Sequence, residues 1–222
     1  MTNELRKVLI ATPSYDGKID AFYVNSLHNS VLLGLQQNIL LQPIFITSDA
    51  LVQRARNDLL TIGVQGLFES MVWIDADLEW NPEWLIQLIN ANQDVIGGTY
   101  RKKTDNAELY TVNTDSLEIN EHGLIEVNGL GTGFVKLSNA AMVALWNTSE
   151  PYTNKEGRDS RMAFDIDIID GELVGEDMIM FRKLKKLGFK VFLDPKMTLN
   201  HNGTKQYRGN FEAYSTAIRG AN

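Results

Sequence analysis

The sequence predicts an α/β fold, with a mixed, mostly parallel central sheet flanked by helices. Continuous apolar runs such as "KVLIA" and "MVWI" lack the polar alternation of half-exposed strands, the mark of strands buried on both faces. Such runs alternate with helical patterns through roughly the first hundred residues, which implies parallel strands joined by right-handed crossovers. The 222 residues are 44% hydrophobic and 22% charged, an ordinary globular composition at a length suited to one large domain.

Each element has its own local reason. "KVLIATPSYDG" is an apolar strand ending at Pro13. "DAFYVNSLHNSVLLGLQQ" is a helix in which Phe22, Leu27, Val31 and Leu35 approximate a 3.6-residue period. "LQPIFITSD" is the second strand, and "ALVQRARNDLLTIGV" the second helix, with Ser48 or Asp49 as its N-cap. "SMVWIDAD" is the third strand, followed by the helix "NPEWLIQLINAN" with Asn81 as cap and Pro82 at the first helical position. "DVIGGTY" is the fourth strand. Beyond Tyr100 the alternation fades. "LYTVNTDSLEI", "LIEVNGLGTGFVKLS" and "KVFLDP" read as strands of a mixed sheet, with helices at "SNAAMVALWNTS" and "GEDMIMFRKLKKLG". Glu150 to Leu173 is polar and without period, and reads as a long surface loop of the lid type. The chain is expected to be one domain, 1–222, whose half at about 1–103 has the nucleotide-binding pattern.

Charge and composition exclude several classes. Net charge is −7 and the pI about 5.0, which disfavours non-specific binding to nucleic acid or anionic membrane. No cysteine is present, which fits a reducing compartment. The apolar core near the N-terminus is far too short for a signal peptide, and no run approaches the ~20 apolar residues of a membrane span. A soluble, cytoplasmic protein is expected.

The chemistry centres on "MVWIDADLEW". Residues i and i+2 of a strand point the same way, so Asp75 and Asp77 could converge at the carboxyl end of the third strand, where open α/β sheets place ligands. Two carboxylates about 4 Å apart repel by ~1 kcal/mol in water and ~4 at an effective dielectric of 20. A divalent cation relieves this, and hard oxygen ligands suit Mn²⁺ or Mg²⁺. A turn junction also uses aspartates, so the pair acquires weight from its company. "GEDMIMF" places Glu176 and Asp177 together at a helix start, where one N-cap would account for a single acid. His201, in "LNHNGT", would make a third ligand beside two carboxylates.

The order of these motifs resembles a GT-A fold (Rossmann-like) glycosyltransferase, of the small soluble viral or bacterial type. The pieces are "VLIATPSYDG", "QRARN", "WIDAD", "DVIGGTYRKK", "GLGTGFVKLS" and "GEDMIMFRKLKKLGFKVFLDP…LNHNG", from about Val8 to Gly203. The resemblance implies a metal-dependent transferase, hexosyl favoured. It would move a sugar from a nucleotide-diphosphate sugar, UDP favoured, to a hydroxyl on an acceptor glycan or other molecule. Asp75 and Asp77, with His201, would hold Mn²⁺ or Mg²⁺ against the diphosphate. Thr12, Pro13, Tyr15 and Asp16 would meet the nucleoside, and Arg56 and Lys103 the phosphates or ribose. Asp75, Thr132 and Gly133 would line the donor sugar. Asp177 would be the general base on the acceptor hydroxyl with Glu176 beside it, the two roles being exchangeable. About 104–222 would form the acceptor-binding half.

Rival readings are a non-catalytic nucleotide-sugar-binding module, a nucleotidyltransferase, and a phosphotransferase of the haloacid-dehalogenase type. The last places its aspartates after the first strand, which here ends in "TPSYDG". A nucleotidyltransferase wants a basic Gly-rich loop there, and no Arg or Lys occurs before Lys18 in that segment.

Overall fold

The structure is a computed structural model that describes residues 5–105 and 107–220. The expected alternation appears as β1 (Arg6–Ser14), α1 (Ala21–Gln36), β2 (Ile39–Thr47), α2 (Val52–Gln65), β3 (Ser70–Ile74), β4 (Leu78–Glu79), α3 (Pro82–Asn90) and β5 (Val95–Tyr100). The second half comprises β6 (Val112–Asn113), β7 (Ile125–Val127), β8 (Gly129–Leu130), β9 (Phe134–Ser138), α4 (Asn139–Thr148), β10 (Glu150–Thr153) and β11 (Asp159–Met162). It continues with β12 (Asp167–Ile169), β13 (Glu172–Val174), α5 (Glu176–Lys186), β14 (Val191–Asn202), β15 (Gln206–Tyr207) and α6 (Phe211–Gly220).

The main sheet runs β15-β14-β5-β9-β3-β1-β2. β1 pairs parallel with β2 and β3, and β14 pairs parallel with β5. β9 lies antiparallel between β3 and β5 and joins the two parallel groups. The fold is thus the mixed, mostly parallel sheet the sequence predicts. One face buries Leu59, Leu60, Met142, Leu145, Phe181 and Leu184, and the other Tyr23, Leu85, Ile86 and Leu88. Such dense apolar layers leave the carboxyl ends of the strands as the place where the chain can turn and present polar groups.

The structure corrects several local expectations. α1 buries only the middle of the Phe22–Leu35 stripe: Leu27 and Val31 pack partly buried against the core, Phe22 and Leu35 are 48% and 51% exposed, and the fully buried face is Tyr23, Ser26, Ser30 and Gly34. Small residues win because the helix lies close to its neighbours. Ser30 Oγ accepts from Trp80 Nε1 at 3.0 Å, and a Cβ on Gly34 would sit 3.0 Å from the Ile39 carbonyl. α2 has Leu51 at its N-cap position with no side-chain cap, and Asp49 instead accepts from Leu51 N and pairs with Arg54. Asn81 and Pro82 do open α3 as read. "LYTVNTDSLEI" yields only β6 and isolated bridges, and the glycine-rich second stretch breaks into β7, β8 and β9. β14 runs on to Asn202, so His201 lies within a strand rather than after it. α6 had no forecast at all.

The largest correction concerns Glu150 to Leu173, which forms two hairpins, β10–β11 and β12–β13. Polar residues on α2 clamp the first of them. Asn57 accepts from the backbone N–H of Ala163 and Phe164 at 3.0 and 2.8 Å. Asp58 accepts from Asn154 Nδ2 at 3.0 Å and Ser160 Oγ at 3.3 Å. These satisfied polar groups let Phe164 bury fully, edge-on to Trp73 with centroids 5.1 Å apart. A segment held through buried polar contacts shows no hydrophobic period, which is why it reads as a loop.

Candidate active site

β3 ends at Ile74 under full burial, and the next residues leave the sheet. Asp75 and Asp77 then face different partners. Asp75 Oδ1 lies 3.1 Å from Arg56 Nη2, and its Oδ2 accepts from the Tyr100 hydroxyl at 3.3 Å. Asp77 Oδ2 accepts from Lys103 Nζ at 2.5 Å and lies 3.4 Å from His201 Nε2. Gly133 permits the first arrangement, because a Cβ there would lie 2.6 Å from Tyr100 Oη and 2.7 Å from Asp75 Oδ2.

Arg56 is the centre of charge. It is 4% exposed, sits over the rings of Trp73 and Phe164, and has Asp75, Glu176 and Asp177 around it at 3.1, 3.9 and 4.0 Å. Among the described residues its Nε and Nη1 make no hydrogen bond. Burial opposes the Arg56 charge, yet Asp75, Asp177 and Glu176 together raise its pKa. Burial pushes Asp75 up, Asp177 and Asp77 add to that, and Arg56 opposes it. Burial also acts to raise Asp77, but hydrogen bonds from His201 and Lys103 bring it below the usual carboxylate value. Tyr100 stays protonated, raised by burial and the nearby acids.

The acids of "GED" open α5, whose N-cap is Gly175. Asp177 is therefore inside the first turn rather than the cap. Its Oδ1 accepts from Thr132 Oγ1 at 2.6 Å and its Oδ2 from Thr132 N at 3.3 Å. Burial and the Asp177 charge both raise the Glu176 pKa.

A cavity of about 730 Å³ runs along the carboxyl ends of the strands and is lined by Pro13, Tyr15, Asp16, Arg56, Asp75, Asp77, Lys103 and His201. That volume suits a nucleotide-sized ligand. A second cavity of about 360 Å³ holds Glu176 and Asp177, and Tyr100 lines both. Two of the expected donor residues are buried elsewhere. Thr12 is fully buried with its hydroxyl 2.6 Å from Tyr23 Oη, and Thr132, also fully buried, spends its hydroxyl on Asp177. Sequence reasoning missed Tyr100, Asp20 and Asn202, which also line the larger cavity. Their positions in "GGTYRKK", before "AFYVNS" and inside "LNHNG" carried no chemical signal of their own.

Among the described residues, no three His, Cys, Asp or Glu side chains gather into a metal cluster. The expected trio of Asp75, Asp77 and His201 is not assembled, because Asp75 is drawn to the buried guanidinium of Arg56. Asp77 and His201 do fit a cation. His201 Nδ1 lies 2.9 Å from the Arg101 carbonyl, which can only accept, so Nδ1 carries a proton; Nε2, facing Asp77, donates to that carboxylate when the ring is doubly protonated and offers a lone pair to a cation when the ring is neutral. A carboxylate and an imidazole are a donor set that Mn²⁺ accepts.

No protein-family model matches the chain, and no curated protein does. Among solved structures, A197 from STIV aligns over 92% of this chain and 94% of its own, at 17% identity and a TM-score of 0.58. The two share a fold. That fold is an arrangement of helices around a mixed, mostly parallel sheet. S. aureus TarS 1-349 in complex with UDP-GlcNAc aligns over 94% of this chain and 61% of its own, at 13% identity and a TM-score of 0.47. A glycosyltransferase involved in glycosylation of the major capsid of PBCV-1 aligns over 61% of this chain and 62% of its own, at 10% identity and a TM-score of 0.35. No helix among the described residues is long and apolar enough to cross a membrane.

Proposed function

We propose that this chain is a metal-dependent glycosyltransferase that moves a hexosyl group from a nucleotide-diphosphate sugar, UDP favoured, to an acceptor hydroxyl. One observation carries the reading. Asp77, His201 and Lys103 form one wall, Thr132-held Asp177 with Glu176 forms another, and Arg56 and Tyr100 lie between them.

In this reading the nucleoside lies along Pro13, Tyr15 and Asp16, and the diphosphate faces Lys103 and Arg56, which line the same cavity. Asp77 and His201 would hold Mn²⁺ or Mg²⁺, with Asp75 nearby, and the ion would supply Lewis-acid stabilisation of charge on the leaving diphosphate. Asp177 takes the proton of the acceptor hydroxyl as its oxygen bonds to the sugar carbon. The bond from that carbon to the diphosphate breaks, and the electron pair leaves on the phosphate oxygen. A single base placed this way fits an inverting displacement. Glu176, with its raised pKa, contacts a sugar or acceptor hydroxyl. The second half of the chain, about 104–222, binds the acceptor. Absence of cysteine from the sequence supports a reducing, cytoplasmic setting.

The test is a donor screen by thermal shift with and without Mn²⁺, joined to turnover by wild type and Asp177→Asn. A ligand at ~100-fold excess over Kd stabilises by ~2.7 kcal/mol. UDP-sugar binding that needs metal, with turnover lost and binding kept in the variant, supports the reading. Donor binding without consumption alongside any acceptor would leave only a binding module.

A further inference from the structure

α5 runs from the acids of the site to a group of cations. Arg182, Lys185 and Lys186 share one face of the helix, at i+4, i+7 and i+8 from Met178. With the amides of Asn113 and Asn128 they line a cavity of about 550 Å³. Among the described residues no carboxylate lines it, although the whole chain carries a net charge of −7. Lys185 donates to Asn128, a neutral partner. Arg182 and Lys186 make no hydrogen bond or ion pair among the described residues. The hairpin β12–β13 brings Ile169 to the same cavity, yet its acids Asp167, Asp170 and Glu172 form no ion pair with these cations. The helix dipole accounts for Lys185 and Lys186, which lie in the last turn. It does not account for Arg182, which precedes that turn, or for the two asparagines gathered with it. A guanidinium, two ammonium groups and two amides, with no acid among them, suit the oxygens of a bound anion. Asn113 and Met178 also line the cavity that holds Asp177. At ~1.5 Å rise per residue, Arg182 to Lys186 lie about 8–14 Å along the helix from Asp177.

We propose that the acceptor is an anionic saccharide: its hydroxyl meets Asp177 while a phosphate, sulfate or carboxylate group elsewhere on it seats among Arg182, Lys185 and Lys186. The place of the hydroxyl rests on the glycosyltransferase reading, and that of the anion on α5 and its cavity alone.

The test compares, by calorimetry at low salt, binding of a sulfated heparin tetrasaccharide and of neutral maltotetraose, with UDP and Mn²⁺ binding measured in parallel. The sulfated compound should bind at least about tenfold tighter. The double variant Arg182→Gln with Lys186→Gln changes exposed side chains, so it should melt near wild type, bind UDP unchanged and lose that preference. Lys7→Gln with Lys196→Gln removes the same charge from exposed positions elsewhere and should keep it. If UDP and Mn²⁺ bind but the preference is missing, or survives the α5 variant, the anionic acceptor is wrong and the transferase reading stands. If the preference depends on α5 but UDP does not bind, the anion site stands and the transferase reading fails. A thymidine oligonucleotide of equal charge that binds as tightly through the same two residues would make the face a general polyanion site and overturn the proposal.

Discussion

Thr132 Oγ1 donates a 2.6 Å hydrogen bond to Oδ1 of Asp177, and the Thr132 N–H reaches the other oxygen at 3.3 Å. The glycine-rich loop therefore fixes the acid of α5, 45 residues away in the chain. Thr132→Val keeps the buried shape but removes the hydroxyl. Transfer should slow about ten- to a hundredfold with donor affinity unchanged, and Thr132→Ser should restore it. A parallel loss of donor affinity in the valine variant would place Thr132 in the donor site instead.

The buried guanidinium of Arg56 compensates three partly buried carboxylates. Arg56→Met leaves them uncompensated and should destabilise the fold by about 3–5 kcal/mol near pH 7.5. The loss should shrink as pH is lowered toward 5, because Asp75 and Glu176, both raised by burial, take up protons more readily than ordinary carboxylates. Urea denaturation at the two pH values measures this, and a pH-independent loss would mean that packing between Trp73 and Phe164 is what matters.

Glu176 has a pKa raised by burial and by Asp177. A raised carboxylate binds more protons folded than unfolded, so its contribution is complete below the ordinary glutamate value. It fades as pH rises through the raised value. Wild-type stability should fall across that window with a slope of at most about 1.4 kcal/mol per pH unit from this group. Glu176→Gln should flatten that part of the curve in thermal melts from pH 4 upward. An unchanged slope would show that another group titrates there.

Lys103 puts its ammonium 2.5 Å from the Asp77 oxygen that also faces His201. The ammonium and a divalent cation compete for that oxygen, while a diphosphate would attract both. Lys103→Met should bind Mn²⁺ alone about tenfold tighter and UDP more weakly, a divergence that calorimetry resolves. Weaker binding of Mn²⁺ would remove Asp77 from the proposed metal site.

Much of the fold was legible in the residues. Buried parallel strands announce themselves as unbroken apolar runs, and Asn81-Pro82 marks a helix start, because both signals are local. The acids of "WIDAD" and "GED" and the imidazole of "LNHNG" were singled out by residue type and place in the chain. What the sequence did not yield depends on partners distant in the chain. The inward face of α1 follows from close approach to Trp80 and Ile39. The hairpin β10–β11 is ordered by Asn57 and Asp58, about a hundred residues earlier. So too with the opening pair of aspartates: the sequence by itself determined that two acids stand at the end of a buried strand. Tertiary structure decided that Arg56 takes one and Lys103 with His201 takes the other. A buried guanidinium needs a carboxylate beside it, and where that guanidinium lands is set by the packing of α2, which no local pattern around Asp75 records.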